Sequence, residues 1–149
     1  MARIDLLEIG DILPTLNLPE ASGGELRLSD FRGRRNLVLF VAHPVGCAAC
    51  EAQLRALNDA LDLLRGEAAE VLAAVPGCPE PVQELKRRLA LSFPVLIDAE
   101  NSLGGKATLA VADRFGEIFA IARADEEHRL PAPAETAGEL AFIGLQCPE

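Results

Sequence analysis

Hydrophobic runs alternate with helical patterns along this chain of 149 residues. The run NLVLFVA at 36–42 is almost unbroken, and EVLAAV at 70–75 has the same character. Runs of this length and composition are typical of strands that are covered on both faces. Because these runs alternate with helical segments, the pattern predicts an α/β sheet with 36–42 at its centre.

Three segments have the spacing of helices. Over 51–65, leucines recur at steps of three and four residues, and Gly66 is well placed to end that helix. A helical period resumes over 82–91, after the turn-forming letters PGCPEP. The segment 132–146 predicts a closing helix with Pro133 near its first turn.

Shorter stretches predict the remaining strands. At the start of the chain, 15–18 and 25–28 flank the turn-forming letters ASGG, and this pattern predicts an N-terminal β-hairpin. FPVLIDA at 93–99 predicts another strand. The segment 109–123 predicts a second hairpin that turns at 114–116.

Composition narrows the class of protein. Half of the residues are hydrophobic and a quarter are charged, which predicts a soluble globular protein, and the length predicts one domain over 1–149. The net charge of −9 disfavours binding to nucleic acid or to an anionic membrane. No hydrophobic run approaches the roughly 20 residues of a membrane-spanning helix, and no signal-peptide core precedes the first acidic residues. We therefore expect a cytoplasmic location.

Four cysteines carry the candidate chemistry: Cys47, Cys50, Cys78 and Cys147. The cytoplasm keeps thiols reduced, so a structural disulfide framework is not expected, and any disulfide should be transient and functional. The charged, proline-containing stretch 124–135 is typical of a solvated connector, and His128 within it is expected to be a surface histidine.

Cys47 and Cys50 are separated by two residues in HPVGCAAC, between the predicted central strand and the next helix. The positive end of a helix dipole stabilises a thiolate, so Cys47 at the helix start is the more nucleophilic candidate. Cys50 lies one turn further, within reach of Cys47 for a disulfide. Its position suits a resolving role or a sheltered attacking role. His43 is a candidate to supply positive charge or a proton relay near either thiol.

Cysteines at this spacing also occur outside redox sites. A Cys-x-x-Cys pair can be half of a zinc site or two small buried residues. Structural zinc usually takes four ligands in two close pairs, whereas Cys78 and Cys147 are widely separated, so we expect no metal. No Gly-x-Gly-x-x-Gly follows a strand, so we expect no nicotinamide or flavin cofactor.

Two long stretches resemble a known family. GDILPTLNLPEASGGELRLSDFRGRRNLVLF at 10–40 resembles the opening of the alkyl hydroperoxide reductase and thiol-specific antioxidant group of peroxiredoxins. LALSFPVLIDAENSLGGKATLAVADRFGEI at 89–118 resembles a later part of the same family, and the resemblance covers about 9–123. It implies a thioredoxin-like, peroxiredoxin-type mixed sheet flanked by helices, and thiol-dependent antioxidant chemistry.

The active-site pattern departs from that family. Peroxiredoxins carry Pro-x-x-x-Thr-x-x-Cys, and with Cys50 in the peroxidatic place this chain has Cys47 for the threonine and His43 for the proline. The family's peroxide-holding arginine has no clear match near GGKATL, where Lys106 is the nearby cation.

The pattern of thioredoxins is also altered. Ala107 or Thr108 stands where thioredoxins have a cis-proline, and Gly46 stands where they have a tryptophan before the cysteine pair. The chain thus resembles a peroxiredoxin body that carries a thioredoxin-like cysteine pair.

This combination implies dithiol–disulfide cycling of Cys47 and Cys50, with protein disulfides or hydroperoxides as substrate and a thiol reductant such as a thioredoxin-type protein as donor. Cys47 is the first assignment as attacker for disulfides, whereas the family correspondence favours Cys50 for peroxides. Cys78 is either a small turn residue or a third thiol near the pair. Cys147 lies where some relatives keep a resolving cysteine that acts across a homodimer.

A different class of function stays open. The missing pocket residues also fit a thioredoxin-fold protein that has lost turnover and serves as a binding or redox-sensing module. A reversible Cys47–Cys50 disulfide and a reactive thiolate would separate an enzyme from such a module.

Overall fold

The computed structural model describes residues 3–31, 34–103, 105–124 and 130–146. Its strands are β1 Asn17–Pro19, β2 Glu25–Arg27, β3 Asn36–Val41, β4 Ala69–Pro76, β5 Val95–Asp98, β6 Thr108–Ala112 and β7 Ile118–Arg123. Its α-helices are α1 Ala48–Asp59, α2 Leu61–Gly66, α3 Pro79–Leu89 and α4 Pro133–Gln146.

The central sheet is mixed, with strand order β5-β4-β3-β6-β7. Strand β3 pairs in parallel with β4 and antiparallel with β6, so the run at 36–42 lies at the centre, as predicted. Strands β1 and β2 pair antiparallel, which confirms the N-terminal hairpin. The predicted mixed α/β sheet is therefore confirmed.

Both faces of the sheet are covered, because successive side chains of a strand point to opposite faces. On β3, Val38 and Phe40 belong to a cluster that includes buried residues of all four α-helices. Leu37 and Leu39 belong to a second cluster, which includes Ile4 and other residues of the segment before β3. This two-sided burial accounts for the unbroken hydrophobic run in the sequence.

The connections place three strand ends at one edge. Strands β3, β4 and β5 are parallel, and parallel strands require crossover connections, here α1 with α2 and then α3. The carboxyl ends of β3, β4 and β5 consequently meet at the same edge of the sheet. Ligand sites of open α/β sheets lie outside this edge.

Several helix bounds differ from the prediction by a few residues, and two of the differences have a clear physical reason. The helix predicted over 51–65 is interrupted at Ala60, where the backbone has φ −97° and ψ 10°. Leu57, Leu61 and Leu64 are buried in the same cluster on both sides of the interruption, so the leucine spacing does not reveal it. Helix α3 begins at Pro79 rather than at 82, because the first residues of a helix have no intrahelical N–H bond for proline to remove.

The second hairpin turns as predicted. Asp113 accepts the Phe115 and Glu117 N–H groups on its Oδ1 atom at 2.9 and 3.1 Å, and Gly116 adopts a φ of +87°. Helix α4 begins at Pro133, as the sequence predicts. His128 and Cys147 lie outside the described residues. None of the described helices is long and apolar enough to span a membrane.

Candidate active site

The loop between β3 and α1 brings the chain to the cysteines. Gly46 has a φ of +111°, in the left-handed region that side-chain-bearing residues rarely adopt. The bulky tryptophan that thioredoxins place here would be strained in this backbone. The glycine therefore belongs to the turn that delivers Cys47 to the start of α1.

Cys47 is the N-cap of α1, a helix of 12 residues. Its backbone is extended, with φ −85° and ψ 107°, and its Sγ accepts the N–H of Cys50 at 3.4 Å. Its side chain is half-buried, so a reagent can reach the sulfur. An N-cap sulfur faces the free N–H groups of the first helical turn, and these stabilise negative charge. This is the place that the sequence predicts for the more nucleophilic thiol.

Cys50 has a different environment, although it is one helical turn away. It is 5% exposed and packs in the same hydrophobic cluster as Leu54. Burial raises the pKa of the Cys50 thiol to about 12, and the neighbouring Cys47 and Glu51 act in the same direction. The backbone N–H of His43 donates to Cys50 Sγ at 3.3 Å, which opposes the rise without cancelling it. Cys50 is thus a sheltered thiol that stays protonated at neutral pH.

The His43 ring lies between Cys47 and the start of β6. Its Nδ1 atom is 3.6 Å from Cys47 Sγ. Its Nε2 atom accepts the backbone N–H of Ala107 at 3.2 Å. His43 therefore contacts both thiols, Cys47 through its ring and Cys50 through its backbone N–H.

One ligand atom from each of His43, Cys47 and Cys50 lies within 4.8 Å of the other two. Within the described ranges, no fourth acidic, cysteine or histidine ligand joins this group. A structural zinc site needs four such ligands. The described part of the chain therefore offers three ligands, one fewer than a structural zinc site takes and as many as the protein supplies in catalytic zinc sites.

The surface beside Cys50 is apolar. A shallow depression there is too small to enclose a water molecule, and its described lining consists of Cys50 and four apolar residues: Ala49, Ala107, Ala124 and Leu130. Lys106, the nearby cation in the sequence, is not among these lining residues. The peroxide-holding cation that peroxiredoxins use thus has no equivalent among the described residues of this depression.

Two neighbours of the pair carry no recognisable signal in the sequence. Ala107 acts through its backbone N–H, which the letter A does not reveal. Glu51 follows Cys50 and accepts two hydrogen bonds from Arg88 at 3.0 and 2.9 Å, across 37 positions of sequence. Arg88 holds the pKa of Glu51 below its ordinary value, so a negative charge stays beside Cys50.

Cys78 is not part of this cluster. Cys78 is exposed at the N-cap of α3, after the carboxyl end of β4, and is a free thiol. Its position at the predicted edge agrees with the sequence, but its sulfur is not in the close group formed by His43, Cys47 and Cys50.

The fold and this geometry can be compared with known proteins. Residues 9–127 match the AhpC/TSA family. The chain belongs to this family. The resemblance that 10–40 and 89–118 indicate is thereby confirmed.

Two relatives of this AhpC/TSA protein differ in the chemistry their names state. Peroxiredoxin Bcp of Escherichia coli strain K12 is 31% identical over 97 residues, which are 65% of this chain and 62% of that protein. The thiol-disulfide oxidoreductase ResA of Geobacillus kaustophilus strain HTA426 is 28% identical over 117 residues, which are 74% of this chain and 66% of that protein. The chain thus matches slightly under two thirds of the length of these relatives.

The fold also agrees with a solved structure. The crystal structure of the peroxidoxin BcpB from Mycobacterium tuberculosis superposes with a TM-score of 0.81 at 18% identity, covering 92% of this chain and 98% of that one. At this identity the likeness establishes the fold. The predicted thioredoxin-like, peroxiredoxin-type architecture is confirmed.

Proposed function

We propose that this AhpC/TSA protein is a thiol-dependent oxidoreductase in which Cys47 attacks and Cys50 resolves. One observation carries the proposal: two thiols within disulfide reach occupy opposite environments. Cys47 is half-buried at a helix N-terminus, whereas burial raises the pKa of Cys50 to about 12. A nucleophile and a sheltered partner are what a dithiol cycle requires.

The raised pKa of Cys50 supports an order of events in which Cys47 attacks first. At pH 7, a thiol with a pKa of about 12 is ionised in only about one molecule in 10⁵, so Cys50 is a poor first attacker. The charge and hydrogen bond of Cys47 contribute to that rise. Once Cys47 has formed a mixed disulfide, it no longer raises the pKa of Cys50, and Cys50 ionises more easily. Cys50 is therefore activated after the first step.

The proposed cycle consists of two thiol–disulfide exchanges that reduce the substrate, followed by reduction of the protein. The Cys47 thiolate attacks one sulfur of a disulfide, forms a mixed disulfide and releases the other sulfur as a thiolate, which takes a proton. Cys50 loses its proton and attacks the Cys47 sulfur, which closes the Cys47–Cys50 disulfide and releases the second thiol. The substrate gains two electrons and two protons. A dithiol reductant, such as a thioredoxin-type protein, then reduces Cys47–Cys50 by the reverse exchange.

A disulfide is the favoured substrate because the described lining of the depression beside Cys50 is apolar. Its described lining offers side-chain carbons for contact and no charged group to hold a peroxide oxygen. Apolar side chains around a protein disulfide could contact Ala49, Ala124 and Leu130, which are at least partly exposed beside Cys50. The name of the ResA relative agrees with this substrate class.

Peroxide reduction is the second candidate, and the name of the Bcp relative favours it. The family correspondence favours Cys50 as the attacker of a peroxide, whereas the raised pKa of Cys50 favours Cys47. With Cys47 as attacker, its thiolate attacks a peroxide oxygen, the O–O bond breaks, and the leaving oxygen takes a proton to become an alcohol or water. The resulting Cys47 sulfenic acid condenses with the Cys50 thiol to a disulfide and water. Both candidate reactions use Cys47 and Cys50, and both leave the protein with a Cys47–Cys50 disulfide.

A mass-spectrometric redox titration tests the proposal. The protein is equilibrated against defined thiol buffers and alkylated, and the cysteine pairs are mapped in wild type and in Cys78→Ser as a control. We expect a reversible Cys47–Cys50 disulfide in both proteins. Two thiols that stay reduced at every potential would contradict the oxidoreductase and favour a binding module.

A single-turnover experiment then separates the substrates. Reduced Cys50→Ser protein is mixed with an equimolar peptide disulfide or hydroperoxide, and the adduct on Cys47 is measured by mass. We expect the mixed disulfide to form faster than the sulfenic acid. The reverse order would assign peroxide as the substrate, and an adduct on neither would contradict Cys47 as attacker.

A further inference from the structure

The His43 ring is held from both sides. The backbone N–H of Ala107 points at Nε2 with a separation of 3.2 Å, and Nδ1 lies 3.6 Å from Cys47 Sγ. The two contacts use the two nitrogens of one imidazole. A neutral imidazole carries one proton, so the role of one nitrogen fixes the role of the other.

The Ala107 contact indicates which ring nitrogen carries that proton. A backbone N–H can only donate, so Nε2 must offer its lone pair, and the proton of neutral His43 belongs on Nδ1. An imidazolium, or the tautomer with hydrogen on Nε2, would set one N–H against another inside the protein. Ala107 is 1% exposed, so water is poorly placed to relieve that conflict.

We propose that the Ala107 N–H holds His43 as the neutral Nδ1–H tautomer, which makes His43 a hydrogen-bond donor to the Cys47 thiolate and not a base that takes its proton. Nδ1 already carries a hydrogen in this tautomer, so it cannot accept the proton of Cys47. The thiol proton goes to solvent, and Nδ1–H then stabilises the sulfur charge. The role of His43 as a donor rests on the proposed function, in which Cys47 is the attacking thiol. The tautomer of His43 does not depend on that function.

This arrangement gives a physical reason for the absence of proline at 107, where thioredoxins have a cis-proline. Proline has no N–H, so a proline at this position could not hold the ring. The structure has no cis peptide bond among its described residues, and Ala107 precedes β6 directly. The Ala107 carbonyl accepts the N–H of Ala124 at 2.8 Å, so the peptide that supplies the donor is itself anchored. Ala107 is thus a positioning residue that acts through its backbone.

The first test is spectroscopic and needs no turnover. Nitrogen NMR of protein labelled with ¹⁵N-histidine, with His128→Gln used to assign the signals, reports which ring nitrogen of His43 bears hydrogen. We expect a protonated Nδ1 and an unprotonated Nε2 in the reduced protein at neutral pH. An Nε2–H tautomer, or an imidazolium under these conditions, would overturn the proposal even if Cys47 proves to be the attacker.

A pair of substitutions at Ala107 links the tautomer to its cause. Ala107→Pro removes the N–H and should produce a mixture of tautomers, while Ala107→Gly keeps the N–H and should keep the wild-type signals. The proline variant must first give a native thermal transition. Unchanged signals in a folded Ala107→Pro protein would show that another group orients His43.

Substitutions of His43 test the role without altering Ala107. Asparagine places its side-chain N–H₂ as many bonds from Cβ as Nδ1 is, and it cannot act as a base. We expect the rate of Cys47 alkylation at neutral pH to fall about tenfold or more in His43→Ala and to be largely restored in His43→Asn. If asparagine is as slow as alanine, the donor role is wrong and a base role takes its place. If Cys47 does not react in wild type, the proposed function fails separately.

Discussion

The two ends of β3 differ in what they enclose and in what they can do. At the amino end, a cleft of about 300 Å³ is lined by Arg34, Arg35, Asp113, Phe115 and others. At the carboxyl end, the cysteine site has only a shallow depression beside Cys50. The larger of these two spaces is thus at the end of the sheet away from Cys47 and Cys50.

The two ends differ in local chemistry as well as in the size of the cavity, and the proposed function places the reaction at the end with the smaller space. The described lining of the amino-end cleft contains no thiol and no imidazole. Its Arg35 is occupied by scaffold contacts, donating to the carbonyl of Arg65 at 3.0 Å and lying 3.7 Å from Glu70. At the carboxyl end, a helix N-terminus, a histidine and a buried thiol meet. A disulfide substrate presents its sulfur atoms to the surface, so this chemistry needs no deep pocket.

The largest expected effect contrasts the two ends directly. Cys47→Ser should lower disulfide reductase activity by at least about 10³-fold, because a serine hydroxyl is neither ionised at neutral pH nor able to form the mixed disulfide. Phe115→Ala, at an exposed residue of the amino-end cleft, should leave the activity within about twofold. The measurement is the steady-state rate with a peptide disulfide and a thiol reductant. A large loss in Phe115→Ala would mean that the cleft takes part in the reaction.

The next effect concerns the layer that connects α1 to the sheet. Leu54 is fully buried on α1 in the cluster that contains Cys50, so Leu54→Ala should reduce the free energy of unfolding by about 3 kcal/mol. Leu63 is 51% exposed on α2, and Leu63→Ala should cost less than about 1 kcal/mol. Urea denaturation of both variants makes the comparison. Equal losses would mean that α1 is not held by this cluster.

The same two substitutions also test whether packing shelters Cys50. If Leu54 keeps Cys50 sheltered, the truncated side chain should let an alkylating reagent reach Cys50 faster than in Leu63→Ala at the same pH. Unchanged protection of Cys50 in Leu54→Ala would place the shelter elsewhere in the cluster.

The sequence predicts most of the scaffold because the buried hydrophobic residues recur at the spacing of strands and helices. The unbroken run at 36–42 predicts the central strand, and the leucines of 51–65 predict the buried face of α1 and α2. The interruption at Ala60 is invisible because the leucines keep their spacing across it. The early start of α3 is missed because prolines are read as breakers, whereas they are compatible with a first turn.

The site is predictable only where side-chain type carries the information. Cys47, Cys50 and His43 are apparent from residue type and from their place after a central strand. The roles of Ala107 and Arg88 are not, because one acts through a backbone N–H and the other reaches Glu51 from a different helix. Such contacts depend on tertiary structure, which no local pattern encodes.

A smaller effect concerns the hairpin that precedes β3. Glu20 accepts the Val95 N–H at 3.0 Å and lies 3.1 Å from Lys86 Nζ, with its side chain 12% exposed. Burial alone would raise the pKa of Glu20, but these hydrogen bonds outweigh it and hold the pKa below its ordinary value. Glu20→Gln should therefore lower the free energy of unfolding at pH 7 by roughly 1–2 kcal/mol. Glu25→Gln, at an exposed carboxylate on β2, should change it by less than about 0.5 kcal/mol.

The sign of the pH dependence follows from the lowered pKa of Glu20. The folded protein binds this proton less tightly than the unfolded chain, so the stabilisation is present above the ordinary value of 4.5 and is lost as the pH falls through the lowered one. Wild type and Glu20→Gln should therefore converge in stability at acid pH. Urea titrations from pH 7 downwards measure this, and a gap that persists in acid would contradict an ionic role for Glu20.

The smallest expected effect returns to the carboxyl end of β3 and to the charge beside the resolving thiol. Glu51 contributes to the raised pKa of Cys50, and Glu51→Gln should lower that pKa and speed closure of the Cys47–Cys50 disulfide. Exposed charges interact weakly, so we expect a gain of less than about fivefold in the rate of closure from a preformed mixed disulfide. Glu84→Gln is the matched control, because Glu84 pairs with Arg87 on the exposed side of α3. Rapid-quench mass spectrometry at neutral pH measures closure, and equal rates in both variants would mean that burial alone sets the reactivity of Cys50.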